Sequence, residues 1–244
     1  MNLKLGMCGF TIAAATYYKQ FKVVEVQQTF YDPPSDSTLE RWRSQAPHDF
    51  EFTMKAWQVI THFGASRTYR RLKSPFSENE RADAGGFRLT DTVLRAWERT
   101  VECARILGAT AILFQCPASF KSSDENVRAI GNFFRAIDRP ARMNLLWEPR
   151  GAWPDDIVLS LCRELDLIHA VDPFIRPSLT PKLIYWRLHG NKSHYARYTD
   201  DELHQIRDWI PDFGGDAYLM FNNVPRIHDV RRFRELGLDP GMTP

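Results

Sequence analysis

The stretch that decides the fold is Leu145-Leu146-Trp147-Glu148-Pro149-Arg150-Gly151-Ala152-Trp153. Its apolar start, bounded by proline and glycine, predicts a short buried strand that ends abruptly. A carboxylate at the end of a buried strand costs free energy unless a cation or water satisfies it. We therefore expect Glu148 and Arg150 to lie at the mouth of a functional site.

Other apolar runs along the chain end in the same way, most of them in a polar or ionisable group. Together with 144–148, the predicted strands are 3–7, 23–27, 51–55, 111–115, 168–171, 183–188 and 217–221. Helical patterns separate nearly all of them, and this alternation predicts a parallel sheet. The exception is the proline-rich link 173–181, which leaves no room for a full helix.

The chain has 244 residues, the length of one eight-stranded α/β barrel. We therefore predict an irregular (β/α)8 TIM-type barrel with a reduced sixth helix, as a single domain over 1–244. The longest connection, 56–89, is predicted to be a loop that lies over the C-terminal rim. It contains His62 and a basic run, and long insertions after barrel strands are often functional.

Composition excludes several classes of protein. The net charge of +2 gives no argument for nucleic acid, and 43% hydrophobic with 25% charged residues is typical of soluble globular domains. The absence of a long apolar run predicts no membrane span, and the N-terminus enters a strand without a signal peptide. The four cysteines form no C-x-x-C pair, which argues against a zinc cluster or disulfides and favours the cytoplasm.

Parallel barrels place all carboxyl ends of their strands on one rim, where their chemistry occurs. Three rim residues are candidates for catalysis: Glu25, Glu148 and His189. Eight more are candidates for substrate binding: Lys55, His62, Gln115, Arg150, Asp172, Arg187, Asn222 and Asn223. Cys8 and Cys116 could act as nucleophiles, although cysteine is commonly a small buried hydrophobe.

The acids allow two interpretations. Carboxylates and imidazoles on neighbouring strands could hold one or two divalent metals that activate water. Alternatively, Glu25 and Glu148 pair with Lys55, Arg150 and Arg187 in a buried ion network without metal. No tight metal-binding spacing such as H-E-x-x-H occurs in the sequence.

The basic groups and His189 also allow more than one role. Lys55, Arg150 and Arg187 could hold a phosphate or carboxylate of a substrate, or could simply compensate the acids. His189 at a strand end could transfer protons. A basic run in the long loop could contact a nucleic-acid backbone, although a solvated face is the commoner meaning of such a run. The run consists of Arg67, Arg70, Arg71 and Lys73.

Seven motifs in order resemble the YecE-like family, a domain of unknown function. The motifs are 6–10, 24–31, 55–62, 114–120, 147–151, 187–190 and 218–223. The resemblance runs from Leu3 to about Leu236 and implies a TIM-type barrel with the motifs on one rim. It implies no established activity, and it suggests a kinship in shape with apurinic endonucleases of the endonuclease IV type.

The chain departs from the commoner family pattern in two places. The first connection is short, and the fifth strand reads Trp-Glu-Pro-Arg-Gly where many members have Glu-Phe-Arg-His-Pro. In these respects it is similar to an archaeal-like variant of the family. The acid and arginine are therefore placed differently here, and their roles have to be argued from this chain.

The leading hypothesis is an enzyme that acts on an anionic, phosphate- or sugar-containing substrate, with a nuclease-like hydrolase as its most concrete version. The alternative is a non-catalytic module that binds nucleic acid or a metabolite. A divalent metal is compatible with the first hypothesis. The sequence predicts no protein partner.

Overall fold

Eight parallel strands close into a barrel in chain order, from β1 to β8, and β8 pairs with β1. The structure is a computed structural model that describes residues 2–180, 182–211 and 214–239. The strands are β1 (Asn2–Cys8), β2 (Val23–Val26), β3 (Glu51–Lys55), β4 (Ala109–Gln115), β5 (Asn144–Glu148), β6 (Ile168–Val171), β7 (Leu183–Leu188) and β8 (Asp216–Phe221). The predicted TIM-type barrel is confirmed, and each strand boundary lies within two residues of its prediction.

Helices cover the outside of the barrel between most pairs of strands. They are α1 (Ala14–Gln20), α2 (Gln28–Tyr31), α3 (Asp36–Gln45), α4 (Gln58–Thr61), α5 (Glu78–Asp83), α6 (Asp91–Leu107), α7 (Asp124–Ala136), α8 (Asp155–Glu164), α9 (Asp200–Trp209) and α10 (Arg226–Glu235). Between β6 and β7 the described residues contain no helix, as predicted. Pro181 at the end of the predicted proline-rich link, and the ends of the predicted domain at 1 and 240–244, lie outside the described residues.

The signals that predict helix ends act as expected. The hydroxyl of Thr90 accepts a hydrogen bond of 3.3 Å from the backbone N–H of Val93, and Gly108 ends α6 with φ +61°. Thr199 and Glu202 form a reciprocal capping box at the start of α9. These contacts satisfy backbone groups that would otherwise lack partners at the helix ends.

The strands alternate between two separate cores. In β7, Ile184, Trp186 and Leu188 pack outward in the large core beneath the helices, whereas Tyr185 belongs to the smaller core inside the barrel. Arg187 follows Tyr185 at a spacing of two, so it also points inward. The register of β7 thereby places a guanidinium inside the barrel, near the C-terminal rim.

The connection from 56 to 89 contains short helices and is not the irregular loop that the sequence predicted. It holds α4, a 3-10 helix (Arg67–Arg71) and α5. Its last part returns to α4, because Phe87 N donates to Ile60 O at 2.9 Å. Gly85 permits this approach: its φ is +86°, and a Cβ there would lie 2.4 Å from a backbone atom of His62. One-turn helices are too short to show a helical period.

No helix among the described residues combines the length and the apolar composition that crossing a membrane requires. The prediction of a cytoplasmic protein stays a prediction.

Candidate functional site

A pocket of about 770 Å³ opens at the C-terminal rim of the barrel. Eight of the predicted site residues line it: Lys55, Gln115, Glu148, Arg150, Asp172, Arg187, His189 and Asn222. Strand ends that are far apart in the sequence meet here because the barrel closes in order. The pocket is therefore built from the polar ends of β3 to β8.

Arg187 stands between two carboxylates at the centre of this rim. Its Nε and Nη2 donate to Glu25 Oε2 and Oε1 at 3.0 and 2.8 Å. Its Nη1 donates to Glu148 Oε2 at 2.6 Å. All three residues are buried, with Arg187 and Glu25 at 0% exposure, and Glu25 does not line the pocket. Arg187 and Arg150 pair with the two acids as the ion-network interpretation expected, but Lys55 does not, because its Nζ donates to Gln115 Oε1 instead.

Both carboxylates remain ionised in this network. Burial alone would raise the pKa of Glu148, but Arg150, Arg187 and other cations outweigh it and lower the pKa to about 2. Burial also raises the pKa of Glu25, but Arg187 and Lys55 outweigh burial, so the pKa of Glu25 is lowered as well. Neither group therefore carries a proton to donate at neutral pH, and each is a weak base. The geometry favours a holding role for them over proton transfer.

Arg150 extends the network toward solvent. Its Nε donates to Glu148 Oε1 at 3.0 Å, and its Nη2 contacts Nε2 of His189. About a third of its side chain is exposed (35%), in contrast to the buried Arg187. Gly151 permits the turn that follows, because a Cβ there would lie 2.4 Å from the carbonyl oxygen of Phe120. Arg150 is thus the solvent-facing end of the cluster.

His189 is oriented by Asp172. Asp172 Oδ2 accepts from the backbone N–H of His189 at 2.9 Å and lies 3.3 Å from its Nδ1. A proton on Nδ1 satisfies this acid and leaves the lone pair of Nε2 toward Arg150. The contact between Nε2 and Arg150 is consistent with that tautomer. His189 therefore presents a basic nitrogen near the mouth of the pocket.

A comparison with known families identifies the chain. Residues 13–238 match the family model described as "Protein of unknown function DUF72". The chain belongs to the DUF72 family. This confirms the family resemblance carried by the seven motifs, and it assigns no activity, because the family description states none.

Solved structures similar to this DUF72 chain share its fold. A DUF72 family protein from Enterococcus faecalis V583 has TM-score 0.71 and 19% identity, with 99% of this chain and 98% of that chain covered. A D-psicose 3-epimerase has TM-score 0.58 and 12% identity, with 93% and 89% covered. Endonuclease IV from Thermus thermophilus has TM-score 0.55 and 9% identity, with 96% and 98% covered. At these identities the likeness shows the barrel fold alone. A search among curated proteins gives no match.

Two predicted substrate-binding residues of the DUF72 chain do not line the pocket. His62 is buried, with Nδ1 2.8 Å from the hydroxyl of Thr61, and its ring packs against Phe30. Burial, Lys55 and Arg150 lower the pKa of His62 to about 3, so it is neutral.

Asn223 donates to Asp229 Oδ2 at 2.6 Å and to Ala196 O at 2.9 Å, which fixes the loop after β8. Asn222 lines the pocket, and its backbone N–H donates to Leu188 O at 2.8 Å. The two asparagines thus lie in different surroundings although they are neighbours in the chain.

The cysteines show no sign of nucleophilic activation. All four are buried, and burial raises the pKa of Cys116 to about 12 and that of Cys8 further. The geometry favours the alternative in which they are small buried hydrophobes.

Several residues that line the pocket escaped the sequence analysis. They include Phe30, Tyr31, Thr68, Arg176 and His194. Arg176 is partly buried, and its Nη2 donates to Trp153 O at 2.9 Å. Most of these residues lie in connections or one-turn helices, where no periodicity marks the direction of a side chain.

The donor set of the rim does not fit a metal centre. Both oxygens of Glu25 and one oxygen of Glu148 accept hydrogen bonds from Arg187, and the second oxygen of Glu148 accepts one from Arg150. Across residues 2–180, 182–211 and 214–239, no group of three or more His, Cys, Asp and Glu side chains is arranged to hold a metal ion. A cation would have to compete with two guanidinium groups, so we derive no step through a metal.

Proposed function

We propose that the pocket binds and transforms a small substrate that carries a phosphate or carboxylate on a polar, sugar-like body. The observation that supports this most directly is Arg150, a partly exposed guanidinium at the mouth of a 770 Å³ pocket beside an oriented histidine. Pockets of about 300–1,000 Å³ are typical of small-molecule sites. A guanidinium recognises phosphate and carboxylate through paired hydrogen bonds.

The two arginines have different tasks in this proposal. Arg187 is saturated by Glu25 and Glu148 and holds the floor of the site. Arg150 has one acid partner, Glu148, and its Nη2 faces His189. An incoming anion can therefore replace His189 as the partner of that nitrogen without breaking the buried network.

This exchange gives His189 its function. Once the anion takes Arg150, the lone pair on Nε2 keeps only the distant Arg187 Nη1, at 3.5 Å, as a described donor and can accept a proton from the substrate. Asp172 keeps Nδ1 protonated and stabilises the imidazolium that forms. A histidine held in this way is suited to moving a proton on a sugar-like carbon or hydroxyl.

A nuclease-like hydrolase is less well supported by this geometry. The endonuclease IV and D-psicose 3-epimerase structures share only the fold with this chain, so they do not decide between phosphodiester and sugar chemistry. Metal-assisted phosphodiester cleavage needs free carboxylates, and here Glu25 and Glu148 bind Arg187. Proton transfer on a small anion needs only Arg150 and His189, and it leaves the pairs of Glu25 and Glu148 with Arg187 intact.

The test is the loss of anion affinity in Arg150→Met. Against a panel of sugar phosphates in calorimetry, we expect ligands that bind the wild type to bind this variant about 10- to 100-fold more weakly, since a charged hydrogen bond contributes about 1.5–3 kcal/mol. The matched control is Arg128→Met, an exposed arginine on α7 that does not line the pocket. Unchanged affinity in Arg150→Met would contradict the proposal. With a ligand identified, His189→Asn is expected to lower turnover about 10²- to 10⁴-fold with little change in affinity.

A second function, nucleic-acid binding, is favoured by one observation. The basic run Arg67, Arg70, Arg71 and Lys73 is exposed, and none of the four forms a salt bridge with a described carboxylate. The guanidinium of Arg71 lies 3.6 Å from the ring centroid of Tyr31, which lines the pocket. The run therefore borders the pocket mouth.

Binding through this run would depend strongly on salt. If single-stranded DNA binds, replacing Arg67, Arg70 and Lys73 by Gln is expected to reduce the slope of log K against log salt by about 2, at about 0.7 per phosphate contact. Fluorescence anisotropy at four salt concentrations measures this slope. An unaltered slope, or no binding at low salt, excludes the run as a nucleic-acid site. Sugar phosphate affinity in the same variant should match the wild type.

A further inference from the structure

Lys55 is a buried lysine without an acid partner. It is the last residue of β3, only 3% exposed, yet its side chain lines the pocket. Its Nζ donates to Gln115 Oε1 at 2.9 Å and lies 3.6 Å from the ring centroid of Phe30. Among the described residues it forms no salt bridge. Burying an ammonium group without a counterion is costly.

Lys4, at the opposite end of the barrel, is a lysine that does have acid partners. Its Nζ lies 2.7 Å from Glu51 Oε2 and 3.0 Å from Asp216 Oδ2. Burial opposes the charge of Lys4, but the hydrogen bonds that its Nζ donates to Glu51 and Tyr218 outweigh burial, and the pKa of Lys4 is raised. The barrel therefore contains a lysine with acid partners at one end and a lysine without them at the other.

Arg187 is the reason that Lys55 lacks a partner. It occupies the oxygens of Glu25 and Glu148 that would otherwise be available to the ammonium group. Burial and then the positive charge of Arg187 lower the pKa of Lys55 to about 7, despite the opposing effect of the two acids. A lysine with a pKa near 7 is partly free amine at neutral pH, whereas an ordinary lysine there is almost entirely protonated.

We infer that Lys55 is a nucleophile that forms an imine with the carbonyl carbon of a small anionic aldehyde or ketone. A lysine that lines a pocket, is shielded from solvent and shares Gln115 Oε1 with a second cation, Arg187, has the surroundings of a Schiff-base lysine. The inference names the substrate class as carbonyl compounds, and for the anionic group it rests on the proposed function of Arg150.

The reaction balances without an oxidant or a further reactant. The nitrogen lone pair of Lys55 attacks the carbonyl carbon, and the π electron pair moves to oxygen, which takes the proton that nitrogen loses. The carbinolamine then takes up one proton from solvent and releases its oxygen as water. The product is a protonated imine, in which carbon is joined to nitrogen by a double bond.

The surroundings of Lys55 also suit the product. The protonated imine is a cation, and the face of the Phe30 ring favours a cation at that position. An imine acidifies the C–H bonds next to it, and His189 supplies a basic nitrogen in the same pocket. The reaction class would be a proton shift or a carbon–carbon bond change beside the former carbonyl.

The experiment is reductive trapping of the wild-type protein with glycolaldehyde phosphate and sodium cyanoborohydride, followed by peptide mass spectrometry. At pH 7 we expect Lys55 to be alkylated at least about tenfold faster than Lys22 and Lys182, whose side chains are 71% and 80% exposed. The difference should shrink toward pH 10, where ordinary lysines also lose their proton. If Lys55 reacts no faster than the two exposed lysines, the inference is overturned.

Gln115→Glu is the variant that tests the free-amine form of Lys55 most directly. The variant keeps the shape of the partner of Lys55 but replaces its side-chain amide with a carboxylate. A negative charge at this position favours the ammonium form of Lys55. We expect trapping at pH 7 to fall about tenfold or more and to recover by pH 10. A Lys55 trapped equally fast at pH 7 in this variant counts against the free amine.

Two further probes separate this inference from the proposed function. Glycerol 3-phosphate has the anion but no carbonyl, so its binding tests the anion site alone. If it binds and Lys55 is not trapped, the imine is rejected and the anion site stands. If it does not bind but neutral glycolaldehyde labels Lys55 selectively, the nucleophile stands and the anion site is rejected.

Discussion

Replacing Arg187 by methionine is expected to lower the free energy of unfolding by about 3–5 kcal/mol at neutral pH. The variant leaves the carboxylates of Glu25 and Glu148 buried without the guanidinium that each of them binds at 2.6–3.0 Å in the wild type. For a chain of this size, the loss corresponds to a decrease of roughly 6–20 °C in the unfolding midpoint. Urea unfolding followed by circular dichroism measures the change directly.

The pH dependence of the same variant should have the opposite sign to that of the wild type. In the wild type the folded-state pKa values of Glu25 and Glu148 are depressed. Their contribution to stability is therefore complete above about pH 4.5 and is lost as the pH falls through the depressed pKa values, which for Glu148 is about 2. Without Arg187, Glu25 loses its main counterion and burial raises its pKa, whereas Glu148 keeps Arg150 as a partner, so the folded state takes up a proton at Glu25 first. Arg187→Met should then become more stable as the pH falls from 7.5 to 5.

The matched control for this experiment is Arg232→Met. Arg232 also binds one acid with two nitrogens, at 2.8 and 2.6 Å from Asp200, but this pair lies on the surface. Its removal is expected to change stability little, because water screens exposed pairs. Equal losses in the two variants, or a loss in Arg187→Met that does not depend on pH, would show that the buried network does not act as described.

The second large effect is a recovery of the stability that Arg187→Met loses. Replacing Glu25, Glu148 and Arg187 together by methionine is expected to restore most of the stability lost in Arg187→Met, to within about 2 kcal/mol of the wild type. A buried ion cluster that is removed as a unit leaves no uncompensated charge, and apolar groups of similar size often replace it at little cost. Tyr185 would keep the hydroxyl of Thr53 as a partner, at 2.7 Å.

The same triple variant tests whether the network is needed for binding. Arg150 loses its acid partner Glu148, which holds its guanidinium in place, so we expect sugar phosphate affinity to decrease although the fold is retained. Urea unfolding at pH 7.5 and calorimetry on the same preparation provide both measurements. If the triple variant is less stable than Arg187→Met, the three charges are not coupled as one unit.

The fold could be predicted closely because its signals are local. Runs such as 183–188 and 144–148 are apolar over the length of a strand, and helices such as α6 have a clear period with a threonine cap and a terminal glycine. These patterns depend on neighbouring residues alone. The helices that the sequence did not predict, α2, α4 and α5, have only four to six residues each, which is too short for a period to appear.

The sequence predicted which residues meet at the rim pocket better than it predicted the contacts among them. The rule that polar strand ends meet on one rim brought Glu148, Arg187 and His189 together correctly. It could not show that Arg187 lies between two acids, because the distance between side chains of β2, β5 and β7 depends on barrel closure. For the same reason the sequence left Lys55 as one cation among three, although its surroundings differ from those of the two arginines.

The sequence by itself determined the barrel, the family and the residues that end on its rim, because apolar periodicity, caps and motifs are properties of neighbouring positions in the chain. Only the tertiary structure decided which charge meets which. Closure of the barrel places Glu25 and Glu148 on either side of Arg187, leaves Lys55 without an acid partner and turns His62 away from the pocket. Charge, pKa and reactivity depend on distance and burial, and both of these arise from packing residues that are far apart in the sequence.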